Sequence, residues 1–334
     1  MVGVEVVNVN DRLNVKDGLN ETYDVVVAGG GAAGLNAALM LARARRSVVV
    51  IDAGAPRNAP ASGVHGLLAR DGMPPGELLE RGRSEVRHYG GHLISAEIGQ
   101  VGRDDGGFTV TLGDGRSTRG RRLLVATGLV DELPDVAGVR ERWGRDVLHC
   151  PYCHGWEVRD QAIGVLAGGP MSVHQALLFR QLSDDVTFFT HTTMLTAEDA
   201  EKLAARDIAV VTEEVASLEI ADDQLAGVQL VDGTVVKRTA VVVAPRMVVR
   251  ADFLAPLGLR PVEHPSGAGT HIPAEAAGRT DVPGVWVAGN VTDPVAQVGS
   301  AAAAGAAAAA QINADLVTEE TRQAVDARRA QPSN

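Results

Sequence analysis

The first regular pattern of apolar positions is a short apolar run, a group of glycines and a stretch rich in alanine and leucine. Val25 to Ala28 are all apolar, as in a strand buried on both faces, and Leu35 to Arg46 have the composition of a helix. A second apolar run, Ser47 to Ile51, ends at Asp52. The pattern predicts a strand, a tight turn, a helix and a parallel strand in one unit of about 30 residues.

The same order of elements recurs in the middle of the chain. Ala162 to Phe179 predict a strand, a glycine turn and a helix, and Asp185 to Phe189 predict the next strand. Near the end, Val285 to Ala288 predict a buried strand and Gly299 to Gln311 an alanine-rich helix. Further predicted elements are helices at Glu77 to Tyr89 and Leu195 to Ala205, a hairpin from Phe108 to Leu112 and Arg121 to Ala126, and short strands between Ala209 and Val235. This alternation indicates an α/β fold with parallel sheets.

Composition and charge narrow the class of protein. The chain has 334 residues, enough for two domains, and its 45% hydrophobic and 22% charged residues fit neither a disordered nor a membrane protein. No apolar run approaches the ~20 residues of a membrane-spanning helix. The net charge of −11, with short and separate arginine clusters at Arg43 to Arg46 and Arg119 to Arg122, argues against nucleic-acid binding. Residues 1–20 contain no apolar signal-peptide core, so we expect a cytoplasmic protein.

Three glycines in the first turn have the spacing of a nucleotide-binding fingerprint. Gly29, Gly31 and Gly34 let the backbone turn sharply and approach a pyrophosphate, whose charge the N-terminus of the next helix favours. Asp52, at the end of the second strand, can hold the hydroxyl pair of a ribose. Together these features predict a nucleotide site, and the alternative is a glycine-rich turn that binds nothing.

A loop rich in glycine, proline and alanine follows at Ala53 to Ala69. Because such loops can reach the ligand, we expect Arg57 and Asn58 either to contact the cofactor or to make ordinary turn hydrogen bonds. His65, in the same loop, is expected to be structural.

The only two cysteines of the chain, Cys150 and Cys153, are separated by two residues and followed directly by His154. A Cys-x-x-Cys pair can close a small disulfide ring, and a neighbouring base such as His154 can hold one thiol as a thiolate. One alternative is a zinc site completed by His149 and His154, although four tetrahedral ligands from one six-residue run are sterically awkward. We therefore predict a redox dithiol and no metal. A capping or solvated role is the alternative for His154.

The order of these motifs resembles that of the low-molecular-weight thioredoxin reductase superfamily of flavoproteins. The resemblance covers residues 22–317 and rests on Gly29 to Gly34, Ala126-Thr127-Gly128, the Cys-x-x-Cys and Val287-Ala288-Gly289-Asn290. It implies that the protein binds FAD and, like most of the family, is a homodimer. The FAD contacts expected from the resemblance and from the motifs above are Gly29, Gly31, Ala33, Gly34, Asp52, Arg57, Asn58, Ala126, Thr127, Gly128, Gly289, Asn290, Gln297 and Val298.

The resemblance also implies a domain organisation. The fold would be α/β, with two Rossmann-like, three-layer nucleotide-binding domains, the second inserted into the first. Residues 22–130 plus 252–317 would form a discontinuous FAD-binding domain, and residues 131–251 an inserted NAD(P)-domain-like domain that carries the cysteines. Residues 1–21 would be an N-terminal extension, and residues 318–334 are expected to be a polar, frayed tail.

The inserted domain departs from the family pattern at two places. Its glycine turn begins with Ala167 where the fingerprint has glycine, and its second strand ends in Thr190-His191-Thr192-Thr193 where NADPH-dependent members have His-Arg-Arg. An arginine fork is what selects a 2′-phosphate, because it offers paired planar donors to a dianion. We therefore predict that NADPH is not used and that this domain is folded but empty of nucleotide.

The cysteine motif departs too, because the family has an aspartate after the second cysteine and this chain has His154. The run Cys-Pro-Tyr-Cys-His-Gly-Trp-Glu resembles the FAD-dependent dithiol oxidases of gliotoxin, holomycin and romidepsin type. That resemblance implies oxidation of a small dithiol to a disulfide, with Cys150 exchanging with substrate, Cys153 next to the flavin, and O2 accepting the electrons to give H2O2. Two alternatives are an NAD(P)H-dependent or otherwise fed disulfide reductase and a non-catalytic flavin- or zinc-binding module.

Overall fold

The computed structural model describes residues 21–169 and 171–331. The predicted extension, residues 1–21, lies outside the described residues except for Glu21. The described strands are β1 Thr22–Ala28, β2 Val48–Asp52, β3 His92–Ser95, β4 Ile98–Asp104, β5 Gly107–Leu112, β6 Ser117–Val125, β7 Leu129–Glu132, β8 Val147–Leu148, β9 Ile163–Leu166, β10 Val186–Phe189, β11 Ala209–Val211, β12 Val215–Ala221, β13 Gln224–Leu230, β14 Val235–Val236, β15 Ala240–Val243, β16 Arg246–Val249, β17 Val262–Glu263, β18 Thr270–His271 and β19 Val285–Val287. The α-helices are α1 Ala32–Arg43, α2 Pro75–His88, α3 Val139–Arg142, α4 Pro151–His154, α5 Ser172–Phe179, α6 Ala197–Ala204 and α7 Val298–Ala330, and 3-10 turns occur at Asp252–Leu257, Ala276–Gly278 and Gly289–Val291.

The first sheet combines strands from both ends of the chain. Six strands lie in the order β3-β2-β1-β6-β5-β4, and β19 pairs in parallel with β6, so that Val285 lies beside Leu123. Val25 to Ala28 of β1 are completely buried between two helical or loop layers, as their unbroken apolar run predicts. The helices α1 and α7 pack together on one face, where the Asn36 side chain donates to the Ala302 carbonyl at 2.7 Å.

A second sheet is formed by strands that lie, in sequence, between β6 and β19 of the first sheet. Its five strands are all parallel, in the order β11-β10-β9-β15-β8. One face packs on α5 and α6 through Phe179 and Leu203, and the other on the small antiparallel sheet β12-β13-β14 through Leu218 and Val228. The predicted fold class, two Rossmann-like α/β units with the second inserted into the first, is confirmed.

Two antiparallel strands, β7 and β16, connect the units, and Leu129 lies opposite Val249. The Thr127 hydroxyl donates to the carbonyl of Arg250 at 2.6 Å, and the Arg250 side chain donates to the Ala55 carbonyl at 3.0 Å. These hydrogen bonds join the entry and the exit of the inserted unit to the loop after β2.

The C-terminal helix differs from the sequence prediction. The predicted helix Gly299 to Gln311 is part of the much longer α7, so the prediction of a frayed tail from residue 318 is wrong as far as residue 330. Glu319 pairs with Arg121 and Arg122 of β6, and Glu320 pairs with Arg46 and Arg121, which lowers the pKa of Glu320 to about 2. Although α7 has 33 residues, no helix in the described part of the chain is both long and apolar enough to cross a membrane.

Candidate active site

A cavity of about 940 Å³ lies between the two units and contains both predicted motifs. At one side it is lined by the turn after β1 and by Asp52, and at the other by Cys150, Cys153 and His154. Of the predicted cofactor contacts, all but Gly34 line this cavity. Residues 126–128, 288–290 and 294–298 line it as well, so the structure brings together segments that are far apart in sequence.

Each of the three fingerprint positions is occupied by glycine for a different structural reason. Gly29 has a φ of +104°, and a Cβ there would lie 2.3 Å from the Ala126 carbonyl oxygen. A Cβ on Gly34 would lie 1.9 Å from the Gly29 carbonyl oxygen, which explains why Gly34 is behind the cavity wall and not in it. At Gly31 a Cβ would meet nothing within 4 Å, because this position faces the open cavity.

The N-terminus of α1 has free backbone N–H groups that could bind an anion. Gly31 is the N-cap and supplies no side-chain hydrogen bond, so the first N–H groups of this 12-residue helix have no capping side chain. Asp52 ends β2 beside this turn, half-buried, with Arg83 at 3.4 Å. An open glycine, a helix N-terminus and a terminal carboxylate fit the pyrophosphate and ribose of a dinucleotide such as FAD.

The segment before α7 forms another wall of the cavity. Asn290 donates through Nδ2 to the carbonyls of Asp293, Pro294 and Ala296, at 3.0, 3.2 and 2.9 Å. Its amide group therefore fixes the loop that leads to Gln297, and its carbonyl oxygen is the atom left for a ligand. Gln297 is the N-cap of α7 without a side-chain hydrogen bond, so this helix also presents its first N–H groups toward the cavity.

Arg57 lines the cavity but its guanidinium is engaged with Asp131 of β7. Nε and Nη2 donate to the two carboxylate oxygens at 2.7 and 2.6 Å, and Nη1 donates to the Pro294 carbonyl at 3.3 Å. The Asp131 side chain is 6% exposed, so the carboxylate of this bidentate pair is shielded from water. Arg57 thus ties the loop after β2 to a linker strand, a contact that sequence reasoning missed. Asn58 lies in the cavity wall, and its contact with the cofactor stays a prediction.

Cys150 and Cys153 form a disulfide with their Cα atoms 5.2 Å apart. Cys150 is the N-cap of the short helix α4, and its carbonyl accepts from the N–H groups of Cys153 and His154 at 3.3 and 3.2 Å. Within residues 21–169 and 171–331, no group of three or more His, Cys, Asp or Glu side chains could hold a metal ion. The arrangement is that of a thiol–disulfide exchange site at the edge of a cavity.

His154 ends α4 beside Cys153 and is half-buried in the cavity wall. Burial lowers the pKa of the imidazole, nearby Glu157 raises it, and His65 lowers it further, with burial as the largest effect. Its side chain has no hydrogen-bond partner among the described residues, which disfavours the capping alternative. A neutral imidazole beside a redox cysteine can accept a proton.

Three further histidines line this cavity, and the sequence indicated a catalytic role for none of them: His65, His149 and His174. His65, expected to be structural, lies 3.6 Å from Glu157 and 3.5 Å from Asp71, and so joins the loop after β2 to the segment after α4. His149 lies in the cavity wall directly before Cys150. Its adjacency to the cysteine is visible in the sequence, where His149 was a candidate only for a zinc ligand.

The glycine turn of the inserted unit is closed by its own side chains. The hydroxyl of Ser172 accepts from the N–H groups of Gly168 and Gly169 at 3.0 and 3.2 Å. At the end of β10, His191 Nδ1 accepts from the Val215 N–H at 3.1 Å, and the Thr190 hydroxyl donates to a backbone carbonyl. The N–H groups of Gly168 and Gly169 are therefore paired within the protein.

Comparisons with known proteins agree with this geometry. The model of the pyridine nucleotide-disulphide oxidoreductase family matches residues 23–310. The chain is 51% identical to a protein of known structure called HlmI, with a TM-score of 0.86, over 91% of this chain and 95% of that one. It is 31% identical to thioredoxin reductase sirT of Leptosphaeria maculans, over 87% of this chain and 93% of the relative. It is 29% identical to thioredoxin reductase aclD of Aspergillus oryzae, over 89% and 98%. The chain therefore belongs to the pyridine nucleotide-disulphide oxidoreductase family, whose thioredoxin reductase-like members are FAD-binding oxidoreductases.

Proposed function

We propose that this enzyme oxidises a small-molecule dithiol to an intramolecular disulfide, with FAD as cofactor, O2 as electron acceptor and H2O2 as product. The observation that carries the proposal is that the Cys150–Cys153 disulfide and His154 line the same cavity as the open glycine turn at Gly31. When bound, FAD supplies a two-electron acceptor that O2 can reoxidise. The proposal includes the cytoplasmic location and the homodimer expected from the sequence.

The chain's own residues perform thiol–disulfide exchange. A substrate thiolate attacks Cys150 Sγ, and the electron pair of the broken S–S bond moves to Cys153 Sγ. The second substrate thiol then attacks the substrate sulfur of the mixed disulfide and releases Cys150 as a thiolate. His154 accepts a proton from the incoming thiol, and Cys153 would be the sulfur on the cofactor side, as the family resemblance implies. The substrate has lost two protons and two electrons, and both cysteines are reduced.

The inserted unit supports this direction of electron flow. Ser172 already satisfies the two turn N–H groups, and Thr192 and Thr193 stand where a phosphate clamp needs arginines. We propose that no nicotinamide reduces this enzyme. The names of the curated relatives favour the other candidate, a thioredoxin reductase-like disulfide reductase.

Anaerobic reduction of the bound flavin separates the two candidates. We expect dithiothreitol to bleach the flavin absorbance rapidly, NADPH to bleach it slowly or not at all, and air to restore the colour with release of H2O2. Stopped-flow absorbance and a peroxide assay measure these steps. Stoichiometric bleaching by NADPH, with no response to dithiols, would identify a reductase and contradict the proposal.

Replacement of His154 by alanine is expected to slow dithiol-driven flavin reduction by roughly 10²-fold, the contribution of one general base. The defect should be largest around and below neutral pH, where few substrate thiols ionise unaided. Because burial lowers the pKa of His154, the wild-type rate should persist as the pH falls to the ordinary histidine pKa and decline only below it. The rate of flavin reduction by dithiol, measured as a function of pH, checks this prediction. A variant whose pH profile matches that of the wild type would show that His154 is not the base.

A further inference from the structure

The residue on the other side of the cysteine pair, His149, has the features of a second base. It precedes Cys150 directly, as His154 follows Cys153, and both histidines line the cavity. Oxidation of a dithiol releases two protons, one from each thiol, whereas the mechanism above gives an acceptor for only one of them.

Hydrogen bonds fix the tautomer of His149. Its Nδ1 lies 3.2 Å from the Val243 carbonyl oxygen, and because a carbonyl only accepts, Nδ1 carries the proton. Gln175 Nε2 lies 3.4 Å from the same nitrogen, but it donates to the His149 carbonyl at 2.6 Å and to Val243 at 3.2 Å. The other nitrogen, Nε2, has no hydrogen-bond partner in the described part of the chain, so its lone pair is available in the cavity.

The surroundings keep the imidazole neutral and in place. Burial is the largest influence and lowers the pKa of His149, the Val243 hydrogen bond raises it, and the neighbouring Arg57 and Asp131 act in opposite directions. Gln175 is 6% exposed, and its Oε1 is buried without a partner among the described residues. A buried acceptor without a partner lowers the stability of the folded protein, and such groups occur at functional sites. Here the nitrogen of the same amide group donates to the His149 carbonyl.

We propose that His149 Nε2 accepts the proton of the second substrate thiol, in the step that closes the substrate disulfide and releases Cys150. This inference rests on the proposed function. In that step the S–H bond breaks and its proton goes to Nε2, the substrate S–S bond forms, and the electron pair of the mixed disulfide goes to Cys150 Sγ. The two histidines thus divide the two proton transfers, with His154 serving the attack on Cys150 and His149 serving the release.

The test uses His149→Asn in the flavin-containing enzyme. The asparagine amide can still donate to the Val243 carbonyl, in place of Nδ1–H, but has no basic nitrogen at the position of Nε2. His149→Gln, which places an amide farther along the side chain, is a second variant in case the first is poorly folded. Anaerobic dithiothreitol is added, the reaction is quenched with acid at increasing times, and intact mass reports the mixed disulfide.

In the wild type we expect no mixed disulfide to accumulate, because closure is faster than attack. In the His149 variants we expect the mixed disulfide to accumulate on Cys150, because the closing step should be roughly 10²-fold slower than in the wild type. The monothiol 2-mercaptoethanol, which can only attack, should form its adduct at the wild-type rate in these variants and slowly in His154→Ala.

Two results would overturn the inference. If folded His149→Asn accumulates no dithiothreitol adduct, as expected for the wild type, His149 takes no proton in the closing step. Slow formation of the 2-mercaptoethanol adduct in the His149 variants would show that His149 acts in the attack on Cys150 or maintains the shape of the site. A wild-type protein that fails to react with dithiothreitol at all would instead remove the proposed function, and the inference with it.

Discussion

Replacing either Cys150 or Cys153 with serine is expected to abolish dithiol oxidation while the protein stays folded and flavin-bound. Both sulfurs are needed because a lone thiol can form a mixed disulfide but cannot regenerate the bridge. Serine is close in size, and at Cys150, the N-cap of α4, it is one of the preferred capping residues. Dithiol-dependent O2 uptake measures the loss, and flavin absorbance and circular dichroism monitor the fold.

The two serine variants should also differ from each other. Cys153→Ser leaves the exchange thiol of Cys150, which should react with a small disulfide reagent to give a stable adduct. Cys150→Ser leaves only Cys153, the thiol assigned to the cofactor side, and should label more slowly. Turnover at the wild-type level in either variant would show that the pair is structural.

Replacement of Gly31 by valine is expected to yield a folded protein without FAD. Gly31 has a φ of −78°, which any residue adopts, and its Cβ would enter open cavity, so the fold has no reason to change. The same atoms would occupy the space that a pyrophosphate needs beside α1. Flavin absorbance after purification and reconstitution, together with the thermal unfolding midpoint, measures binding and stability separately.

The chain offers two matched controls for Gly31→Val. Gly169→Val changes the corresponding glycine of the inserted unit, where a Cβ also meets nothing within 4 Å, and should leave flavin content and turnover unchanged. Gly34→Ala should instead destabilise the whole protein, because its Cβ would lie 1.9 Å from a backbone oxygen. Full FAD binding by Gly31→Val would place the cofactor elsewhere and contradict the assignment of the cavity.

The local patterns predicted the elements well and their ends less well. The helix expected at Leu35 to Arg46 is Ala32–Arg43, because Gly31 in extended conformation begins it and Arg45, with a φ of +62°, lies beyond its end. The glycine turn and the cysteine pair were recognisable because each motif is contained in a few consecutive residues. The same holds for His154, whose candidacy followed from its adjacency to Cys153.

Contacts between distant residues could not be predicted from one sequence. Arg57 was a candidate cofactor contact, and nothing nearby in sequence indicates that Asp131 is its partner. The C-terminal part of α7 is held by arginines of β6, almost 200 positions earlier. Since these partners are not recognisable from the sequence, the polar composition of this segment suggested a frayed tail. The proton on His149 Nδ1 likewise depends on Val243, a residue of another strand.

The pairing of β19 with β6 has a consequence for how the protein is made. About 160 residues separate the end of β6 from the start of β19, so at ~5–20 residues per second a ribosome needs roughly 8–30 s to supply the missing strand. Meanwhile the inserted unit, which has its own sheet and core, can fold, while the second half of β6 keeps an open edge. Because residues 288–290 and 294–298 line the cavity, the cavity is incomplete until these residues have emerged, and we expect FAD to be retained only after that point.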